Sequence, residues 1–303
     1  MSISARYMPT SRKQYLKMAI PYLWLAPTFI VLSGILAYPW LWSLILSFYR
    51  WSPLLMTHPI WRGFGNFIDV LKDPAFVNAV RNSLILVGVS VPAQFAVGFF
   101  LAYLLSQEIK GRSIFLAMLT LPMMITPSII GLMWKMLLSS EWGLVNYFLE
   151  ILGLGKVGWL SDPSVTMWTI IMVHIWESTP FVILTMFAGL QSLPKEPYEA
   201  AVVDGANTWQ SLIHITIPYL RPLIIVVFLF RMMFALRTFD IVYSLFRSGG
   251  PANAGMVLGV YLYESFRITW EIGRSSAISY ILLFFTIILT ISFTTRMYRG
   301  LEE

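Results

Sequence analysis

The sequence predicts an all-α polytopic membrane protein with six transmembrane helices. Two observations carry this. Of its 303 residues, 57% are apolar and 12% are charged, against about 25% charged in a soluble domain. In addition, six segments reach the roughly 20 apolar residues that a helix needs to cross the hydrocarbon core.

The six segments are 22–48, 83–105, 114–138, 166–190, 222–246 and 271–295. Before the first lie Arg6, Arg12, Lys13 and Lys17. The apolar run that follows exceeds a signal-peptide core and has no small-residue cleavage site, so the expectation is an uncleaved N-terminal segment, 1–21. Pro27, Pro39, Pro92, Pro122, Pro127 and Pro180 fall inside the spans. Bilayer helices accept such residues where neighbouring helices satisfy the freed backbone groups. Pro122 and Pro127 lie close together, so a kink is expected in the third span.

Six spans place both termini on one side. Ten basic residues fall on that side and seven on the other: Arg50, Arg62, Lys72, Arg81, Lys156, Arg247 and Arg267. The bias favours a cytoplasmic N-terminus and a cytoplasmic tail, 298–303. Tyr22, Trp24, Trp51, Trp142, Trp168 and Tyr298 lie near span ends, where amphipathic rings anchor in the interface. The outer loops at 49–81 and 139–165 carry turn signals at Gly63-Phe64-Gly65-Asn66 and Ser161-Asp162-Pro163.

Composition also excludes functions. Without cysteine, thiolate catalysis and Cys-ligated metals are impossible. His58, His174 and His214 have no metal-ligand spacing, so neither a metal site nor a catalytic site is expected. The net charge of +6 is scattered, which suits anionic membrane lipid and not nucleic acid. No phosphate loop occurs. The nearest Gly-Lys, Gly155-Lys156, fits no such pattern.

The polar connection at 191–218 separates two spans and is rich in helix formers. Pro194 and Pro197 open a helix, Glu196 and Glu199 favour its N-terminus, and Gly205 permits a bend. A second turn or two is expected from Thr208 to Ile217 before Pro218 stops it, with small residues on the exposed face. On residue chemistry alone, an amphipathic connector lying on the membrane surface is an equal alternative.

The spacing adds more. Glu199-Ala200-Ala201, three residues, Gly205, nine residues, then Ile215-Thr216-Ile217-Pro218 resembles the EAA loop of membrane subunits of binding-protein-dependent ATP-binding-cassette (ABC) importers. Only Ile217 replaces the usual Leu. The resemblance covers about residues 20–297. It implies a type I ABC importer permease fold over 22–297, without extra N-terminal spans or a large periplasmic insert. It implies ATPase coupling through Glu199, Ala200, Ala201, Asp204, Gly205, Ile215 and Pro218, with Glu199 meeting a basic residue of the ATPase.

Ionisable groups inside spans are costly and call for a reason. His174 and Glu177 are three apart on the fourth span, as are Arg237 and Asp240 on the fifth, with Arg231 nearby. Arg237 and Asp240 could simply neutralise each other. The functional reading is a polar pocket between spans three, four and five, rimmed by Trp134, Trp176 and Tyr243. Such a site suits a sugar, whose hydroxyls need partners and whose C–H faces pack on rings.

The fifth span and its following loop, and His174 through Pro180, resemble carbohydrate permeases of the maltose, trehalose and polyol group. That resemblance places substrate contacts at Ser128, His174, Glu177, Ser178, Arg237 and Asp240, to which the aromatic rim read from the residues adds Trp176 and Tyr243. Apart from Ser128, the polar contacts carry over by position and not by residue type.

The implied function is a permease subunit forming half of the pathway for a di- or oligosaccharide, polyol or sugar derivative. The implied partners are a second homologous permease subunit, two ABC ATPase subunits and a periplasmic or lipid-anchored solute-binding protein. No cofactor is expected on this subunit; ATP and Mg²⁺ belong to the ATPases. The implied location is a bacterial or archaeal cytoplasmic membrane. A secondary transporter is the alternative from another class, but the inverted repeats that would support it are not evident. An intramembrane enzyme using His174 and Glu177 lacks a nucleophile. Arg231, Arg237 and His174 would also suit an anionic sugar ester.

Overall fold

The computed structural model describes residues 12–107 and 109–299. Residues 1–11 of the expected N-terminal segment and 300–303 of the expected tail lie outside the described residues.

Helix α1 (Arg12–Leu32) and α2 (Tyr38–Ser47) form the first span, joined by one wide turn at Ser33–Ala37. In that turn the Tyr38 N–H bonds the Ser33 carbonyl, five residues back. Pro39 follows at once. A proline has no N–H and its ring crowds the preceding turn, so a wider turn absorbs it. A short hairpin, β1 (Tyr49–Arg50) with β2 (Ile60–Trp61), leads to α3 (Gly65–Lys72). Asn66 is buried there and donates to the carbonyls of Ser47 (2.8 Å) and Tyr49 (2.9 Å). The outer loop is thereby pinned to the end of the first span.

The second span is α4 (Pro74–Ser106), capped by the Asp73 side chain on the Ala75 N–H at 2.8 Å. It begins nine residues before the apolar run read from sequence, because an outer polar turn continues the helix. The third span is broken as expected, and sharply. Its inner part, α5 (Arg112–Thr120) with a 3₁₀ turn through Met124, meets α6 (Pro127–Leu137) at 98°. Outside it, α7 (Leu144–Ile151) carries Asn146, whose side chain accepts from the Val157 N–H and the Trp159 Nε1–H. The fourth span is α8 (Pro163–Gln191), capped by Asp162 on the Ser164 N–H at 2.8 Å.

The polar connection folds as α9 (Glu196–Val203) and α10 (Thr208–Ser211). One expectation fails here: Pro218 does not stop the helix. A wide turn at Leu212–Thr216 again precedes a proline, with the Ile217 N–H on the Leu212 carbonyl. The helix therefore runs on into α11 (Ile217–Leu236), the fifth span. After a break at Arg237–Phe239 come α12 (Asp240–Phe246), the outer helix α13 (Leu258–Thr269), and α14 (Ile272–Arg299), the sixth span. Neither the break nor α13 was read from sequence.

The packing centres on α4 and α8. Gly98 makes this possible, since a Cβ there would stand 2.7 Å from the Val182 Cβ. Two apolar cores flank the middle of this pair. The outer one holds Leu86, Ile130, Ile170, Val173 and Val242; the inner one holds Ala102, Val182, Met186, Leu220 and Val227. The first span stands apart, its tyrosines and tryptophans largely exposed. It touches α14, where the Tyr280 hydroxyl donates to the Trp40 carbonyl.

An ion pair ties the outer ends together. Arg274 of α14 and Tyr261 of α13 both donate to Asp73 at the head of α4. Burial pushes the Asp73 carboxyl up, but the Tyr261 hydroxyl, the Ala75 N–H and the Arg274 guanidinium outweigh it. Together they hold it below the ordinary aspartate value. A depressed folded value gives stability that is full above the unfolded pKa and lost as pH falls through the folded one. Thermal stability in detergent is therefore expected to fall as pH drops below about 4. Asp73→Asn should cost about 1.5–3 kcal/mol at pH 7 and flatten that acid slope, and an unchanged slope would contradict the assignment.

Candidate functional site

Between the two apolar cores lies a polar layer. Ser90 and Gln94 come from α4, His174 and Ser178 from α8, and Arg231 from α11; each is buried. Gln94 is fully buried and organises the layer. Its Oε1 accepts from Arg231 Nε at 3.0 Å. Its Nε2 then faces His174, 2.9 Å from Nδ1 and 3.2 Å from the backbone carbonyl.

The guanidinium can only donate, so the orientation of the Gln94 amide is fixed, and with it the histidine tautomer. His174 Nδ1 accepts, and the proton sits on Nε2, which points at Thr238 Oγ1 at 3.3 Å. Arg231 also lies over the Phe181 ring, 5.9 Å from its centre. The Glu177 carboxylate supplies the opposing charge to Arg231 and accepts from the Ser178 hydroxyl. In a bilayer interior such groups persist only where they satisfy one another.

Beside this layer is a cavity of about 310 Å³. His174, Glu177, Ser178, Arg231, Arg237 and Asp240 line it, together with Pro127, Thr238, Phe234, Phe239 and Ile241. The structure thus gathers most of the substrate contacts expected from the sequence between spans three, four and five. Ser128 joins through its hydroxyl, which donates to Asp240 Oδ1 at 3.3 Å.

Three of the expected rim residues stand elsewhere. Trp134 and Trp176 pack edge to face, 5.6 Å between centres, and Trp176 borders a separate apolar cavity with Pro122 and Pro180. Tyr243 stacks on Phe239 at 5.2 Å and meets Tyr263 at 4.9 Å. It reaches the polar cavity only through Phe239.

The neutralising pair weighed for Arg237 and Asp240 does not form. Three-residue spacing brings side chains together only on a continuous helix. Here Arg237 ends α11, Phe239 is non-helical, and Asp240 begins α12. Asp240 takes the Ser128 hydroxyl instead. Among the described residues, the Arg237 side chain has no hydrogen bond or ion pair.

Gln94, Ser90, Thr238 and Phe234 were missed from sequence. A search for charged groups in apolar spans passes over neutral amides and hydroxyls. Gln94, the amide within the second span, was the available signal.

The polar connection at 191–218 is ordered by its own capping. Helix α9 ends in a Schellman turn: the Ala206 N–H reaches the Ala201 carbonyl and the Gly205 N–H the Val202 carbonyl. That turn needs the left-handed φ of +76° that Gly205 supplies. Asn207 and Gln210 then form a reciprocal capping box at 2.9 and 2.8 Å. The Tyr198 hydroxyl lies 2.9 Å from Thr216 Oγ1 and ties α9 to the wide turn.

Glu199, Ala200, Asp204, Gly205 and Pro218 are exposed, and Ala201 and Ile215 are half-buried. The exposed face does not carry only small residues, as the sequence suggested. Val203 is 87% exposed and Trp209 68% exposed. Between α9 and α10 a cleft of about 380 Å³ is lined by Ala201, Asp204, Gly205, Gln210, His214 and Ile215, among others.

Residues 94–302 match the family model described as "Binding-protein-dependent transport system inner membrane component". A probable ABC transporter permease of Sinorhizobium fredii is 36% identical over 90% of this chain and 88% of its own length. The trehalose/maltose transport permease MalF of Thermococcus litoralis is 31% identical over 94% of each chain. Among solved structures, a chain of a bacterial ABC transporter involved in the import of the acidic polysaccharide alginate superposes with a TM-score of 0.81. That match has 24% identity and covers 95% of this chain and 98% of the other.

The polar layer gives a direct test. Gln94→Leu strips His174 and Arg231 of their shared partner and leaves a buried guanidinium short of an acceptor. Unfolding in detergent should lose about 1–3 kcal/mol, while Val89→Leu, on the exposed side of the same helix, should be near neutral. Equal effects from the two substitutions would refute the organising role of Gln94.

Proposed function

Because this chain belongs to the binding-protein-dependent transport system inner membrane components, and is a permease subunit of an ABC importer, we propose that it forms half of the pathway for a sugar. The single observation that carries the sugar reading is the cavity between spans three, four and five. Its guanidinium groups and the His174 Nε2–H donate, its carboxylates accept, its hydroxyls do both, and two phenylalanines line it. Polyhydroxylated rings need that combination. The trehalose/maltose permease relative supports the same class.

The protein is a multi-pass membrane protein. In the proposed reading it sits in a bacterial or archaeal cytoplasmic membrane with both termini in the cytoplasm. A second homologous permease completes the pathway, and two ATPase subunits and a solute-binding protein complete the importer. The exposed first span supports a further membrane partner. ATP and Mg²⁺ act on the ATPases, and this subunit binds no cofactor.

Coupling is mechanical in this reading. Helix α9 seats on an ATPase, with Glu199 on a basic residue and Val202, Val203 and Trp209 in apolar contact. The segment from Thr208 through Leu236 is one unbroken helix, roughly 40 Å long at about 1.5 Å per residue. Its inner end is the docking segment, and its outer end carries Arg231 and Arg237 into the cavity. Nucleotide-driven movement of the first displaces the second as a rigid body.

A second reading concerns substrate charge. A guanidinium without a protein partner at a cavity wall favours a ligand with an acidic group.

In proteoliposomes holding the complete complex, sugar uptake should require ATP. Glu199→Lys and Gly205→Trp should each lower uptake at least about tenfold, a loss near 1.4 kcal/mol of coupling, while the chain still inserts. Wild-type uptake by either variant would remove the docking role, and uptake without the ATPases would favour a secondary transporter. Arg237→Gln separates the substrate readings. Uptake of an acidic sugar should fall by about tenfold or more, and full retention would exclude an anion clamp.

A further inference from the structure

A cavity of about 360 Å³ lies where the last turns of α4 and α8 meet the polar connection. Tyr103 and Gln107 line it from the end of α4 and Gln191 from the end of α8. From the connection come Tyr198 of α9, Ser211 of α10 and Thr216 of the wide turn. The volume falls in the range of small-molecule sites, about 300–1,000 Å³. This cavity shares no residue with the polar cavity between spans three, four and five. Of the residues assigned above to ATPase contact, only Val202 borders it.

Among the described residues its polar lining is uncharged, made of hydroxyls and carboxamides that both donate and accept. Two tyrosines add ring surface. Helix α4 ends at Ser106 and α8 at Gln191, and the C-terminal end of a helix carries partial negative charge. An anion is therefore disfavoured, and no described carboxylate lines the cavity to hold a cation. That chemistry suits a neutral polyhydroxylated ligand, whose hydroxyls pair with amides and whose C–H faces pack on rings. One part of the lining is set. Thr216 Oγ1 donates to the Ser211 carbonyl at 3.3 Å and accepts from the Tyr198 hydroxyl at 2.9 Å. The other part is open: the Tyr103 hydroxyl and the Gln107 and Gln191 amides have no hydrogen bond to a described residue.

We infer that this cavity is a regulatory site for a neutral sugar, and that sugar bound there slows import. The inference rests on the reading above that places the polar connection in the cytoplasm, seated on an ATPase. A ligand in the cavity touches the ends of α4 and α8 on one side and the segment that begins the Thr208–Leu236 rod on the other. It holds the two in their present arrangement. Nucleotide-driven movement of the rod must change that arrangement, so bound sugar opposes it by its preference for the resting state. Sugar accumulating inside the cell thereby limits its own entry.

The chain has no cysteine, so a single thiol at Ser106→Cys reports occupancy. The exposed Thr208→Cys replaces it if the first fails to fold. The readout is the rate of labelling by a small hydrophilic maleimide, with the complete complex in nanodiscs. The probes are maltose, trehalose and lactose, with lactobionate as the acidic counterpart of lactose. At about ten times Kd, at least one of the three sugars should slow labelling roughly tenfold, and lactobionate should not. In proteoliposomes with ATP and that sugar sealed inside at the same concentration, initial uptake should also fall roughly tenfold. Gln191→Leu and Tyr103→Phe should keep wild-type uptake into sugar-free vesicles and lose the inhibition.

Failure of every sugar to protect the thiol would overturn the site. The transport reading would then survive, since ATP-dependent uptake into sugar-free vesicles scores it separately. Equal protection by lactobionate would overturn the neutral ligand. Protection without slower uptake would overturn the regulatory role. Inhibition that persists in both variants would do the same and place it in the translocation pathway. No uptake of any sugar into sugar-free vesicles would remove the transport reading and this inference with it.

Discussion

The absence of water inside a bilayer is the constraint on which this structure depends. Strongly polar groups placed at membrane depth are costly unless they find partners within the protein or face a polar cavity. Gln94 shows the consequence. One neutral amide faces a cation with its oxygen and a histidine with its nitrogen, so α4, α8 and α11 are joined at a single buried point. Apolar packing alone does not fix the rotation of one smooth helix against another in lipid, because lipid tails are as apolar as leucine. The amide does fix it. It aims His174 and Arg231 into one cavity and leaves Arg237, one helix end away, to face that cavity unpaired.

The same constraint explains the prolines. Each of the two wide turns stands just before a proline, Pro39 or Pro218, and absorbs the missing N–H without ending the helix. For the first span this means a crossing that stays continuous. For the fifth it means that the polar connection and the cavity wall belong to one rod. Where the protein does need a true break, the helix itself is interrupted. The third span turns through 98° between Met124 and Pro127. The fifth stops at Arg237 and restarts at Asp240. Both breaks border the polar cavity, as irregular backbone at membrane depth should.

Much of this was legible in the sequence. Apolar length gave the six spans, and two close prolines gave the break in the third. The Glu199-Ala200-Ala201 pattern with Gly205 gave a capped, protruding helix. The charged positions His174, Glu177, Arg237 and Asp240 pointed to the same cavity. What stayed hidden was relational. The partnership of Gln94 with Arg231 joins residues 137 positions apart, and nothing local marks it. Pro218 reads as a stop because local chemistry says so, and only the preceding wide turn overrides it. The spacing of Arg237 and Asp240 promises a pair on an ideal helix, and the unforeseen break cancels it. Trp176 and Tyr243 were placed at the cavity because aromatic rings suit sugars, but their neighbours Trp134 and Phe239 claim them first.

Transmission along the rod from Thr208 to Leu236 is the claim on which the functional account turns. The most direct measurement is a pair of spin labels on the otherwise cysteine-free chain at the exposed positions Trp209 and Phe234, with a second pair joining Trp209 to Met118 of α5. Distances are read in the assembled complex with and without ATP. The account predicts that the separation along the rod holds within about 1–2 Å while the distance to α5 shifts by clearly more. A rod whose own length changes as much as its distance to α5, or a complex in which neither distance responds to nucleotide, would contradict it.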